Sequence, residues 1–226
     1  MMYIRKILKF GYKKGKQMNK FSRLGVLAVI SSPSGTGKTS ICKKLLDYDK
    51  NLYLSISVTT RKKRKKEIEG IDYFFKSKNE FDRLKNEHKF IESALVFDHY
   101  YGTLKKQVID KLQEGIDVII DIDWQGTRQI NDYMEGNVVK RFLLPPSLKE
   151  LSNRLSNRGS DSLEEINFRM SKAVKEIKHY NEYDYVLVNH DINETFLKIN
   201  QILEVERLKL CRQINFKKIV KKLTQT

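Results

Sequence analysis

The octapeptide "SPSGTGKT", residues 32–39, constrains the fold of this chain more than any other stretch. It follows "LGVLAVI" (24–30), a continuous apolar run of the kind that suits a strand buried on both faces. It opens a segment, 38–46, in which Ile41, Leu45 and Leu46 repeat at helical spacing. Strand, glycine turn and helix in that order are the setting that a phosphate-binding loop requires. Gly35 and Gly37 let backbone N–H groups turn inward around phosphate oxygens, and the helix N-terminus adds a partial positive charge. Lys38 supplies a full charge to terminal phosphates, and the Thr39 hydroxyl can hold Mg²⁺. The first position departs from the usual pattern, with Ser32 in place of Gly. Such a loop indicates a nucleotide but not a reaction.

The rest of the chain alternates between two patterns. Buried-strand candidates lie at 117–121, 138–144 and 183–189, and helix candidates at 104–114, 147–157, 162–180 and 192–212. Ser147 with Glu150, and Ser162 with Glu165, have capping-box spacing, and Gly159 suits a helix stop. Strands alternating with helices predict an α/β fold, a parallel sheet core flanked by helices. The stretch 52–103 differs. Its short aromatic runs, "YFF" (73–75) and "FIESALVF" (90–97), around one helix predict a small α+β insertion.

Charge looks decisive until it is divided. The net charge is +16. Residues 1–23 carry eight Lys/Arg and no acid, and 207–226 carry seven and no acid, so 24–206 hold 29 basic and 28 acidic residues. A dedicated nucleic-acid domain builds a basic face into its folded body. Here the basicity sits in the ends and in "RKKRKK" (61–66), and we expect solvated tails, or as the alternative tails in weak contact with polyanions, with no specific nucleic-acid partner and no membrane partner. Seven apolar residues at 24–30 are too few to span a bilayer. The first 21 residues are basic, but they are short and Lys-rich for a transit peptide, and Met18 could be the start. Cys42 and Cys211 alone imply no disulfide framework and a reducing, cytoplasmic setting. His88, His99, His179 and His190 lack metal-ligand spacing and read as structural.

A longer set of motifs narrows the reaction. "SSPSGTGKTS" (31–40), "SVTTRKKR" (57–64), "EGIDYFF" (69–75), "FIESA" (90–94), "YYGT" (100–103), "DIDWQG" (121–126), "LPPS" (144–147), "RLSNRG" (154–159) and "YDYVLVN" (183–189) occur in the order and near the spacing of the bacterial-type guanylate kinase family, which the chain resembles over nearly all of 22–212. The resemblance implies a P-loop nucleoside-monophosphate-kinase fold: core at 22–54, 107–146 and 172–212, a GMP-binding domain at 55–106 and a small helical lid at 147–171. Residues 1–21 and 213–226 fall outside as a disordered basic extension and a basic tail.

The resemblance also implies roles. ATP binds residues 32–39: Ser32, Pro33, Ser34, Gly35, Thr36, Gly37, Lys38 and Thr39. Arg61, Arg64, Tyr73 and Tyr101 hold the GMP phosphate, which suits the parallel donors of Arg. Ser57, Glu92 and Thr103 read guanine, whose O6 accepts and whose N1 and N2 donate. Asp121 meets Mg²⁺, the implied cofactor, through water, and Asp123 faces the guanine or an arginine. Lys38, Arg154, Arg158 and Arg169 are the catalytic cations. The lysines of the 61–66 run are bystanders, and Lys63 and Lys66 stand where the family has Pro and Gly. The activity implied is phosphoryl transfer from ATP to GMP. The alternative is an inactive guanylate-kinase-like module that binds a phosphorylated peptide. A kinase for another nucleoside monophosphate is disfavoured by Glu92.

Overall fold

The computed structural model describes residues 23–96, 98–157 and 163–225. Residues 1–21, Gly159, Ser162 and Arg158, all given expectations above, lie outside the described residues. The elements run β1 (Leu27–Ser31), α1 (Lys38–Tyr48), β2 (Leu52–Leu54), β3 (Ser57–Thr59), β4 (Phe74–Phe75), α2 (Lys78–Asn86), β5 (Phe90–Val96), β6 (His99–Leu104), α3 (Lys105–Gln113) and β7 (Asp117–Asp121). They continue with α4 (Trp124–Tyr133), β8 (Val139–Leu144), α5 (Leu148–Ser156), α6 (Leu163–Ile177), β9 (Tyr185–Val188), α7 (Ile192–Leu208) and α8 (Phe216–Thr224).

Five strands form a wholly parallel sheet in the order β2-β7-β1-β8-β9. The unbroken apolar run of β1 follows from its central place, where every residue is buried. Successive β1 side chains feed opposite faces. Leu27 and Val29 join Val108, Leu112 and Ile130 on one face, while Ala28 and Ile30 join Ile41, Leu45, Phe196 and Leu203 on the other. The parallel register pairs Ile30 with Asp121, so the C-terminal ends of β1 and β7 finish side by side. At the opposite end the buried Asp117 accepts from Arg23 Nη1 and Arg207 Nε, both at 2.6 Å, and so ties α7 under the sheet.

Leu52–Leu54, expected in the insertion, instead pair as β2 with β7 at the edge of the core sheet, and the second sheet, β4-β3-β6-β5, starts only at Ser57. Its antiparallel registers pair Ser57 with Thr103 and Thr103 with Glu92, which sets three residues from three strands in one cross-strand row. Gln129 on α4 joins this sheet to the core through both backbone groups of Ser93, at 2.9 and 3.0 Å.

Two further expectations change. The 183–189 strand is shorter, and as β9 it pairs with β8 alone, so Val186 and Val188 are exposed rather than buried. The basic C-terminal segment, read as a solvated tail, is indeed exposed, but it is helical at α8, where its apolar residues recur at i, i+3, i+4 and i+7. Ser147 does cap α5, accepting from Glu150 N at 3.0 Å. No helix among the described residues is long and apolar enough to cross a membrane.

Candidate active site

A cleft of about 580 Å³ opens at the C-terminal ends of β1 and β7, the edge at which parallel α/β sheets bind ligands. One wall is the loop 32–39, with Ser32, Pro33, Ser34, Gly35, Gly37, Lys38 and Thr39 lining it. Gly37 adopts φ +101°, and a Cβ there would sit 2.8 Å from Asn189 Nδ2. Both the backbone and the space therefore demand glycine. Asn189 is the strut behind the loop: its Nδ2 donates to Thr36 O at 2.7 Å, and its Oδ1 accepts from the Thr195 hydroxyl at 2.8 Å. Thr36 itself is fully buried and does not line the cleft.

Lys38 Nζ lies 2.5 Å from Asp121 Oδ1. Burial works to lower the Lys38 pKa, but the Asp121 charge and hydrogen bond outweigh it, and the net shift is upward. The ammonium is thus fully charged at neutral pH. Glu176, which lines the cleft nearby, has a pKa raised to about 7, chiefly by burial; Lys38 opposes the rise and Asp123 adds to it.

The second wall is the inserted sheet. In the "RKKRKK" run only Arg61 and Arg64 line the cleft, while Lys62, Lys63, Lys65 and Lys66 are exposed and point elsewhere. Glu67 organises the pair. Its carboxylate takes a two-pronged bond from Arg61, at 3.0 and 2.5 Å, and accepts from the Arg64 backbone N–H at 2.7 Å. The Arg61 guanidinium sits 5.4 Å from the Tyr73 ring centroid, and the Tyr73 and Tyr101 rings are 5.9 Å apart. Ser57 and Glu92 line the cleft, whereas Thr103 is wholly buried behind them and donates to Glu92 Oε1 at 2.6 Å. Burial drives the Glu92 pKa up to about 7; the Thr103 hydrogen bond opposes this and the Asp123 charge adds to it. A Cβ on Gly126 would approach Glu92 Oε2 to 2.7 Å, so this glycine makes room for the carboxylate.

Asp123 lines the cleft and also caps α4, accepting from Gly126 N at 3.0 Å. On the third side, Arg169 reaches the cleft from α6 and donates to Ser34 Oγ at 3.4 Å. Arg154 does not line it. Its Nε donates to Glu150 at 2.9 Å, and its terminal nitrogens make long contacts, 3.5 and 3.4 Å, to the carbonyls of Thr36 and Asn189. Leu151 and Leu155 of α5 pack with Ile166 and Ala173 of α6 in a small core of their own.

Sequence reasoning missed Glu67, Glu176 and Asn189. Glu67 follows the basic run directly, and the strand-end position of Asn189 was visible, but neither partner was. His179, read as structural, stacks on Trp124 at 4.0 Å.

A parallel sheet with this loop at the end of its central strand, a lysine on the loop helix paired with an aspartate at the end of β7, and arginines facing it from two further segments define a P-loop kinase. The guanylate kinase family model matches residues 25–206. Guanylate kinases from Rickettsia prowazekii and Novosphingobium aromaticivorans are 50% identical over 190 residues and 48% identical over 191 residues, covering 84% of this chain in both cases and 96% and 86% of the relatives. The crystal structure of guanylate kinase from Anaplasma phagocytophilum superposes with a TM-score of 0.75 at 39% identity, covering 88% of this chain and 95% of that one. The chain belongs to the guanylate kinase family.

Proposed function

We propose that this protein transfers the γ-phosphoryl group of ATP to GMP, giving ADP and GDP. The observation that carries the reading is the cross-strand row in which Ser57 and Glu92, backed by the buried Thr103, share one cleft with the phosphate-binding loop. Glu92 accepts from N1–H and the N2 amino group of guanine. Thr103 fixes the carboxylate from behind, and Ser57 donates to O6. Arg61 and Arg64, with the Tyr73 and Tyr101 hydroxyls, hold the phosphate of GMP, and Glu67 keeps the Arg61 fork in place. Asp123, also on the cleft, faces the base while it caps α4.

ATP lies along residues 32–39, with backbone N–H groups and Lys38 on its phosphates. Thr39 and Asp121 fit Mg²⁺: both are hard oxygen donors on the cleft. Bound there, Mg²⁺ would neutralise charge on the ATP phosphates. A GMP phosphate oxygen attacks the γ-phosphorus, the bond to the bridging oxygen breaks, and ADP leaves with that electron pair. The attacking oxygen is already ionised, so no general base is needed. The protein contributes alignment and cations: Lys38, Arg169 and, from the lid segment 147–171, Arg154 and Arg158. We infer that Arg154, which sits behind the loop, turns toward the phosphates as the lid closes over ATP. We place the reaction in the cytoplasm.

The phosphopeptide-binding alternative has no observation in its favour: Lys38, Thr39, Glu92 and Asp121 all line the cleft. The test is a coupled ADP-release assay with GMP, AMP, CMP, UMP and dTMP. GMP should be preferred by orders of magnitude, and equal turnover of AMP or a complete lack of turnover would overturn the reading.

A further inference from the structure

We propose that α8 docks this kinase reversibly on an anionic lipid surface. The helix reads "FKKIVKKLT" (216–224). Phe216, Ile219, Val220 and Leu223 fall on one arc of roughly 100° at 3.6 residues per turn. Their side chains are 48, 49, 52 and 73% exposed, so the described fold leaves this apolar stripe uncovered. Lys218, Lys221 and Lys222 occupy the opposite side, and none of them pairs with an acid among the described residues. Residues 207–226 contain no acid at all. Leu208 and Leu210, immediately upstream, are exposed too.

Charge and apolar surface together select the occupant. A second copy of the helix would bring its own lysines against these, and residues 1–22 carry Lys and Arg but no acid, so both repel. A nucleic acid rewards the lysines but leaves the apolar stripe in water. An anionic bilayer takes both, with the stripe in the acyl boundary and the lysines at the headgroups. A nine-residue helix is marginal in water by itself, and burial of its stripe would hold it. No residue of α8 lines the catalytic cleft, so a docked enzyme keeps access to its substrates.

The test is co-sedimentation of the full chain with phosphatidylcholine vesicles, with and without about 30% phosphatidylglycerol. Binding should be at least tenfold stronger on the anionic vesicles and weaken with salt. Each lysine near such a surface is worth roughly fivefold, so Lys218→Gln/Lys221→Gln/Lys222→Gln together should lose on the order of a hundredfold. Ile219→Ser/Leu223→Ser should lose at least tenfold. Both variants should keep wild-type turnover of GMP in solution, which reports that they fold. No vesicle binding would overturn the proposal, as would binding that survives the Ser variant. Competition by a single-stranded RNA with no loss from the Ser variant would mean a polyanion contact and would also overturn it.

Discussion

Glu92→Gln separates guanine reading from every other role of the cleft. The side chain is buried, and its Oε1 accepts from the Thr103 hydroxyl at 2.6 Å. That hydroxyl needs an acceptor, so in the variant it fixes the Gln carbonyl oxygen at the Oε1 position. The amide NH₂ then takes the place of Oε2 and faces the base. Where wild type offers an acceptor to two guanine donors, the variant offers a donor. Hydrogen bonds to a charged group contribute about 1.5–3 kcal/mol each. Losing two gives roughly 3–6 kcal/mol, or about 10²–10⁴ in kcat/KM for GMP. Adenine carries a lone pair at N1 and no 2-amino group, so AMP should change little or gain. Ser57 still favours O6, so the preference narrows and need not invert. The assay is kcat/KM for GMP and AMP on both proteins, with the fold checked by circular dichroism. An unchanged GMP/AMP ratio would show that Glu92 is not the reader and refute the guanine assignment.

The same variant should alter stability with pH. The folded-state pKa of Glu92, about 7, lies above the ordinary 4.5. Between those values the folded chain holds a proton that the unfolded chain has released, so stability falls as pH rises through that window. Glu92→Gln should therefore be more stable than wild type at pH 8 by about 3 kcal/mol, read as a higher Tm, and not at pH 4; equal shifts at both pH values would contradict the linkage. Arg61→Ala or Arg64→Ala should each cost about 2–4 kcal/mol in kcat/KM, while Ala at Lys62, Lys63 or Lys65 should stay within roughly 1 kcal/mol; equal losses would mean the tract acts only as a diffuse field. Asn189→Ala should destabilise by about 1–3 kcal/mol and raise KM for ATP, because Thr36 O and the Thr195 hydroxyl lose their buried partner; unfolding curves and ATP titrations check both. Small-angle scattering should show compaction with a bisubstrate analogue, since the ligand groups sit on three separate segments; unchanged dimensions at saturation would count against closure.

The sequence by itself determined what depends on contiguous chain. The loop 32–39, the apolar run of β1, the Ser147 cap and the alternation of strands and helices use neighbouring residues and fixed periods, so they could be read directly. It also separated Arg61 and Arg64 from their lysine neighbours through a known pattern, although only the structure supplied the physical reason: those two turn to the cleft and the lysines to solvent. What needed the tertiary structure was partnership at a distance. Ser57 is far from the other two in sequence and Glu92 and Thr103 are 11 residues apart, and only strand register sets them in one row and turns Thr103 into a buried support for Glu92. Asn189 braces Thr36 from 153 residues away. Arg141, a charge inside the buried-strand candidate "VVKRFLL", is fully buried in β8, where burial lowers its pKa to about 10. The C-terminal segment was charged in composition, and its apolar stripe emerged only once the fold had shown those side chains exposed among the described residues. Local periodicity chooses the elements, but burial and pairing are properties of surfaces that meet only after the chain has folded, and it is those surfaces that decide which side chains become a site.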